Sequence, residues 1–178
     1  MQLKALGVQL GDNVRIEGKP VVSMAPDSEI VIGARCVLCS DSRYTALGIN
    51  HPVVLRTLRP DARINIKEDA GISGATICAA IEINIGSHVL LGANVTIADT
   101  DFHSLKANDR RYNKNPHDIA ASPVNIADNV FIGTGAFILK GVNIGANSII
   151  GAGSILVHDV PANVIAAGNP AKVIGNIP

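Results

Sequence analysis

Of the five histidines in the chain, His103 falls where a proton-transfer group would be useful. It closes the run Asp99-Thr-Asp-Phe-His103, where a regular apolar pattern gives way to a polar stretch at residues 100–124. An imidazole with an unperturbed pKa of about 6.5 is the natural general base for a hydroxyl at neutral pH. A nearby carboxylate would fix its tautomer and stabilise the imidazolium. Asp99 and Asp101 both qualify, and spacing does not choose between them. His51, in Asn50-His51-Pro52, lies in a second irregular stretch at 43–63 and reads equally as pocket wall or plain loop. His88 reads as a turn residue and His117 as a loop residue. Cys36 and Cys39 form one CxxC pair with no second pair and no histidine nearby, so buried small side chains are a better reading than a metal or redox site. Cys78 falls on an inward position of the repeat, which disfavours a covalent acyl-cysteine route.

A period of six positions these residues. From Ile126 a large aliphatic recurs at Ile132, Ile138, Ile144, Ile150 and Leu156. Four positions after each comes a small or β-branched residue: Val130, Ala136, Val142, Ser148, Ser154 and Val160. The pattern also runs through Ile66, Ile72 and Cys78, resumes at Ile85, Leu91 and Ile97, and has weaker copies at Leu10, Ile16, Ile32 and Leu38. Six matches neither a helix nor a simple amphipathic strand. It matches a solenoid in which each hexapeptide is one short strand and turn, three of them closing an 18-residue triangular coil. Gly133, Gly135 and Asn147 are expected at turns that tolerate positive φ. The expected fold is therefore all-β: a parallel β-helix as one domain over 1–178, interrupted by the non-repeat segment 43–63 and the loop 100–124. Regular coils carry function on inserted loops, so the chemistry is expected on those two segments.

Composition narrows the partners. Lys+Arg and Asp+Glu both number 15, which excludes the clustered positive excess that nucleic acid requires. The nearest basic cluster is Arg110, Arg111 and Lys114, set between acids. Hydrophobic residues make up 47% but aromatics only 3%, which fits narrow aliphatic layers rather than an irregular aromatic core. No run is long enough to span a membrane, and the charged start of the chain does not read as a signal peptide. The chain reads as soluble and cytoplasmic, and its three cysteines fit a reducing compartment.

Three motifs carry a family resemblance: Val89-Leu-Leu-Gly-Ala-Asn-Val-Thr-Ile97 followed by Asp99-Thr-Asp-Phe-His103; Val130-Phe-Ile-Gly-Thr134 through Gly151-Ala-Gly-Ser154; and Ala166-Ala-Gly-Asn-Pro-Ala-Lys-Val-Ile174. They resemble the hexapeptide-repeat acetyltransferases of the left-handed β-helix class, in the branch of maltose, galactoside and exopolysaccharide O-acetyltransferases. The resemblance implies a left-handed coil, against the usual hand of parallel crossovers. It also implies a homotrimer with active sites between subunits, acetyl-CoA as donor, no metal, and a sugar or polysaccharide-precursor hydroxyl as acceptor. His103 matches the family's catalytic histidine, with Asp101 taken as the acid beside it. Thr134 and Ala152 match CoA-contacting positions. Being 18 residues apart, they should stack on adjacent coils. Lys172 matches a basic residue near the CoA phosphates, and His158 stands where a lysine is common. Phe131 replaces a tryptophan seen in some relatives. Ser73 stands at an acceptor-side asparagine, with Asn50 and His51 assigned to the same pocket.

Other readings remain at this point. An amino-sugar N-acetyltransferase or an antibiotic acetyltransferase would use the same donor. A γ-class carbonic anhydrase shares the coil, but His88, His103 and His117 are evenly spaced by 15 and 14 residues rather than convergent. A non-enzymatic scaffold would show no dependence on His103.

Overall fold

The computed structural model describes residues 2–108, 110–113 and 115–177. It is a left-handed parallel β-helix with three faces. The first carries Gln9–Leu10, Glu29–Ile32, Arg63–Ile66, Glu82–Ile85, Val124–Ile126 and Asn143–Ile144. The second carries Arg15–Glu17, Val37–Cys39, Gly71–Ser73, Leu90–Leu91, Phe131–Ile132, Ile149–Ile150 and Val164–Gly168. The third carries Val21–Ser23, Val54–Thr57, Thr76–Ala79, Thr96–Ala98, Phe137–Ile138 and Ile155–Leu156. A last strand, Ala171–Asn176, turns back antiparallel along Val164–Gly168.

The six-residue pattern sets the register. Ile32, Ile66, Ile85, Ile126 and Ile144 are stacked partners on the first face. Ile72, Leu91, Ile132 and Ile150 stack on the second, and Leu55, Ile77, Ile97, Ile138 and Leu156 on the third. All point inward and form one continuous core. Each such side chain taken out of water contributes about 1.5–3 kcal/mol, so stability accumulates coil by coil. The corner residues Val130, Ala136, Val142, Ser148 and Ser154 are buried as well. No aromatic joins this core, since every Phe and Tyr is at least 44% exposed.

Outside, Asn65, Asn84, Asn125 and Asn143 line the first face, each Nδ2 donating to the Oδ1 of the next at 2.9–3.0 Å. Asn143 closes the series on Asp159 Oδ1.

Three details differ from expectation. Within 43–63, Val54–Thr57 is a regular strand paired with Val21–Ser23 and Thr76–Ala79, so the coil is left only around 40–53. Arg56 and the Pro-flanked run before the strand hide the repeat. Cys78 is not an inward residue: Ile77 occupies that place, five positions after Ile72, because the corner at Gly74 (φ +53°) is one residue short. Cys78 pairs with Ala98 and stays covered, outside the core stack. Gly133 is needed for close approach rather than positive φ. A Cβ there would lie 2.5 Å from the Ala152 nitrogen, whereas Gly135 and Asn147 do adopt φ of 67° and 65°.

Candidate functional site

The 100–124 excursion leaves the third face after Ala98 and rejoins the first at Val124. Its two limbs meet at a Thr100–Ala121 bridge. Asp101 N–H donates to Ala120 O at 3.0 Å, and Ser122 N–H donates to Asp99 O at 2.8 Å. From this stem Phe102, at φ 60°, turns the chain, and the His103 N–H donates back to Asp101 O at 2.7 Å. The His103 side chain is exposed and opens on a cavity of about 560 Å³ shared with Ala107, Arg110, Arg111 and Tyr112. Arg110 braces the loop, its Nε and Nη2 donating to Ser104 O and Leu105 O at 2.9 Å. Lys114, the third member of the basic cluster, lies outside the described residues.

The two candidate carboxylates have different surroundings. Asp99 is fully buried and accepts three backbone N–H groups, from Ala80 on Oδ1 and from Ile81 and Glu82 on Oδ2, at 2.6–2.8 Å. Burial pushes its carboxyl up, and the three donors pull it back. Both oxygens are spent holding the preceding corner, so Asp99 has nothing to offer His103. Asp101 Oδ1 accepts from Lys140 Nζ at 2.7 Å, and its Oδ2 is buried without a partner among the described residues. Asp101 is therefore the carboxylate with a free oxygen two residues from the imidazole. Lys140 was not singled out by the sequence. It belongs to the next coil, 39 residues on.

The donor-side candidates gather at a different corner, between the second and third faces. A cleft of about 500 Å³ there is lined by Ser73, Ala93, Phe131, Thr134 and Ala152, with Thr45–Leu47 overhanging it. Thr134 Oγ1 donates to Ala93 O at 2.6 Å, Gly135 N–H to Ala93 O, and Gly153 N–H to Thr134 O, each at 2.8 Å for the backbone pairs. One corner residue per coil thus forms a continuous column along the cleft. The loop that covers it is pinned by the Asn50 N–H, donating to Asn94 Oδ1 at 2.7 Å, and by close packing of Ile49 and the His51 carbonyl on Gly74. His51 Nδ1 donates to Pro52 O at 2.7 Å. Asn50 and His51 do not line this cleft. The residues of that segment that do are Thr45, Ala46 and Leu47, which no motif marked.

Lys172 sits exposed on the terminal antiparallel strand, paired with Ala167 of the second face. His158, also exposed, follows Ile155–Leu156 at the corner between third and first faces, one coil beyond Lys140. The structure therefore does not bring Lys172 and His158 together within one chain. Nor does it bring His103 to the Thr134/Ala152 cleft, which lies at the opposite edge of the third face. Cys36 and Cys39 are buried free thiols, Cys36 donating to Lys67 O and Cys39 to Asp41 O. Among the described residues no group of three His, Cys, Asp or Glu side chains is placed to hold a metal ion, and no helix is long and apolar enough to cross a membrane.

Residues 123–158 match the family model described as "Bacterial transferase hexapeptide (six repeats)". Over 105 residues, 57% of this chain, the sequence is 42% identical to the galactoside O-acetyltransferase of Escherichia coli (strain K12), of which the match covers 48%. The crystal structure of a maltose O-acetyltransferase from Clostridium difficile 630 aligns with 96% of this chain and 70% of its own, at 29% identity and a TM-score of 0.57. A galactoside acetyltransferase solved in complex with coenzyme A aligns over 96% of this chain and 65% of its own, at 27% identity and a TM-score of 0.55. The chain spans about half the length, or less, of the curated relatives it matches. By repeat, sequence and fold the chain is similar to hexapeptide-repeat acetyltransferases, galactoside and maltose O-acetyltransferases among them.

Proposed function

We propose that the protein is an acetyl-CoA-dependent O-acetyltransferase acting on a hydroxyl of a sugar or polysaccharide precursor, with His103 as general base in a ternary complex. The observation that carries this reading is the pairing of a histidine-bearing excursion with an open, largely apolar cleft along one corner of the coil. An extended pantetheine arm suits a column of corner residues repeating at strand spacing, roughly 4.8 Å. In the cleft, Thr134 and Ala152 contact that arm, with Phe131 as a wall and Ser73 near the reacting end. His103 takes the proton of the acceptor hydroxyl, and the hydroxyl oxygen attacks the acetyl carbonyl. The thiolate of CoA then leaves and takes up the proton from His103. Tyr112, exposed in the His103 cavity, offers an aromatic face to a sugar ring.

Because His103 and the cleft lie at opposite edges of the third face, the complete site is assembled between copies of the chain in a homotrimer. His103 comes from one subunit and the Thr134/Ala152 cleft from its neighbour. Lys172 and His158 then reach the CoA phosphates from different subunits. Exposed Phe137, Leu139 and Val157 on and beside the third face supply apolar surface for such packing.

The test is release of CoA thiol from acetyl-CoA in the presence of neutral glycosides, nucleotide sugars, amino sugars and aminoglycosides. A hydroxyl-bearing glycoside should be the preferred acceptor. His103→Ala should lower turnover by at least ~10²-fold, the scale of general-base catalysis, while leaving the circular dichroism spectrum unchanged. Full activity in that variant removes His103 from the mechanism, and preference for an amine acceptor replaces O- by N-transfer.

A further inference from the structure

The corner formed by Lys140 and Gly141, one coil above the excursion, holds both of its limbs. Lys140 Nζ is 2.7 Å from Asp101 Oδ1 on the outgoing limb. The Gly141 N–H donates to Ser122 O, at 2.9 Å, on the returning limb. Between these grips the chain has little freedom before His103. Asp101 N–H is bound to Ala120 O, and Asp101 O accepts the His103 N–H. The Lys140–Asp101 pair is partly exposed, at 33% and 23%, and pairs of that kind contribute little to stability. It leaves one Asp101 oxygen, Oδ2, buried and unpartnered among the described residues. A buried acceptor without a donor is costly to a fold and needs a reason.

We propose that Lys140 is a positioning residue for His103, acting through Asp101, and that Asp101 Oδ2 is the acceptor for the imidazole N–H when His103 carries the proton. The proposal rests on the reading of His103 as the base. Lys140 fixes the outgoing limb and balances the Asp101 charge, leaving Asp101 to orient the imidazole. The other groups facing His103 are Arg110, Arg111 and Tyr112 of the same cavity. The ion pair that bears on the chain leading to His103 is Lys140–Asp101.

Lys140→Met, Lys140→Arg and Asp101→Asn in the full chain test this without knowledge of the natural acceptor. The first readout is the His103 imidazole titration followed by NMR. The second is kcat and KM for acetyl-CoA with p-nitrophenyl-β-D-galactoside as probe acceptor. In Lys140→Met the unbalanced Asp101 charge favours the imidazolium. The His103 titration and the acid limb of the kcat profile should both move to higher pH. At fixed pH, kcat should fall about tenfold, toward the lower end of general-base effects, with KM for acetyl-CoA unchanged. Lys140→Arg should restore both, and Asp101→Asn should move the titration to lower pH. An unmoved titration in Lys140→Met overturns the proposal, as does a loss of activity that tracks a loss of Tm and is not rescued by arginine. A fully active His103→Ala sinks the catalytic reading instead, and leaves the titration result to judge the positioning claim separately.

Discussion

At the residue scale, the contrast between Asp99 and Asp101 shows how two carboxylates in one short motif take different tasks. Asp99 is spent on the backbone, and Asp101, two residues before His103, retains an oxygen without a partner among the described residues. The sequence places both within four residues of the imidazole and cannot rank them, because the deciding partners lie 17–19 residues back and 39 residues on. The thiols give a pH prediction. Burial pushes the Cys36 and Cys78 thiols above their ordinary 9.0. The folded chain therefore holds those protons more tightly than the unfolded one. This contribution to stability is fully present below about pH 9 and is lost as pH rises through the folded-state values. The urea midpoint should fall between pH 8 and pH 10.5, less steeply in the Cys36→Ala/Cys78→Ala double variant. Near pH 7.5 native protein should react far more slowly with a thiol reagent than protein in denaturant. Rapid native labelling of either cysteine would contradict their burial.

At the scale of the element, the corners matter more than the strands, many of which are only two residues long. The six-residue aliphatic pattern made the strands and their stacking legible, because each inward Ile declares its own position. It did not reveal the corner at Gly74, where a missing residue moves Ile77 inward and Cys78 out, nor the strand Val54–Thr57 inside an irregular segment. Thr45–Leu47 were illegible as cleft residues because their place follows from how Asn50 and Gly74 fold the loop back over distant coils. Asp99 is the clearest corner device. Asp99→Ala should leave the N–H groups of Ala80, Ile81 and Glu82 without their acceptor. An unmet buried donor costs about 1–3 kcal/mol, so the loss should reach at least about 2 kcal/mol, measurable as a lower denaturant midpoint with unchanged slope. A stability within about 0.5 kcal/mol of the parent would mean that solvent takes over those donors.

At the scale of the molecule, the two halves of the proposed site lie at different corners of the coil, on opposite edges of its third face. On the proposed reading, assembly is part of catalysis. Sedimentation should show a trimer. His103→Ala mixed with a variant blocked in the cleft, Ala152→Trp, and refolded together should regain activity that neither has alone. In mixed trimers some interfaces combine an intact His103 from one chain with an intact cleft from the other. Absence of any recovery from well-folded mixed trimers would place the whole site within one subunit.

The excursion also has a consequence for how such a protein can change. Ile126 stacks on Ile85 although 41 positions separate them, just as Ile144 stacks on Ile126 across 18. Everything between Thr100 and Ala121 is looped out at a single bridge without disturbing the register above or below. The coil therefore treats that segment as a cassette. Exchange of 104–120 for a loop of different length and composition should keep His103 in place and leave the stacked core and the Thr134/Ala152 corner as they are. New acceptor preferences can then be inherited, or engineered, by swapping one insert rather than by rebuilding a fold.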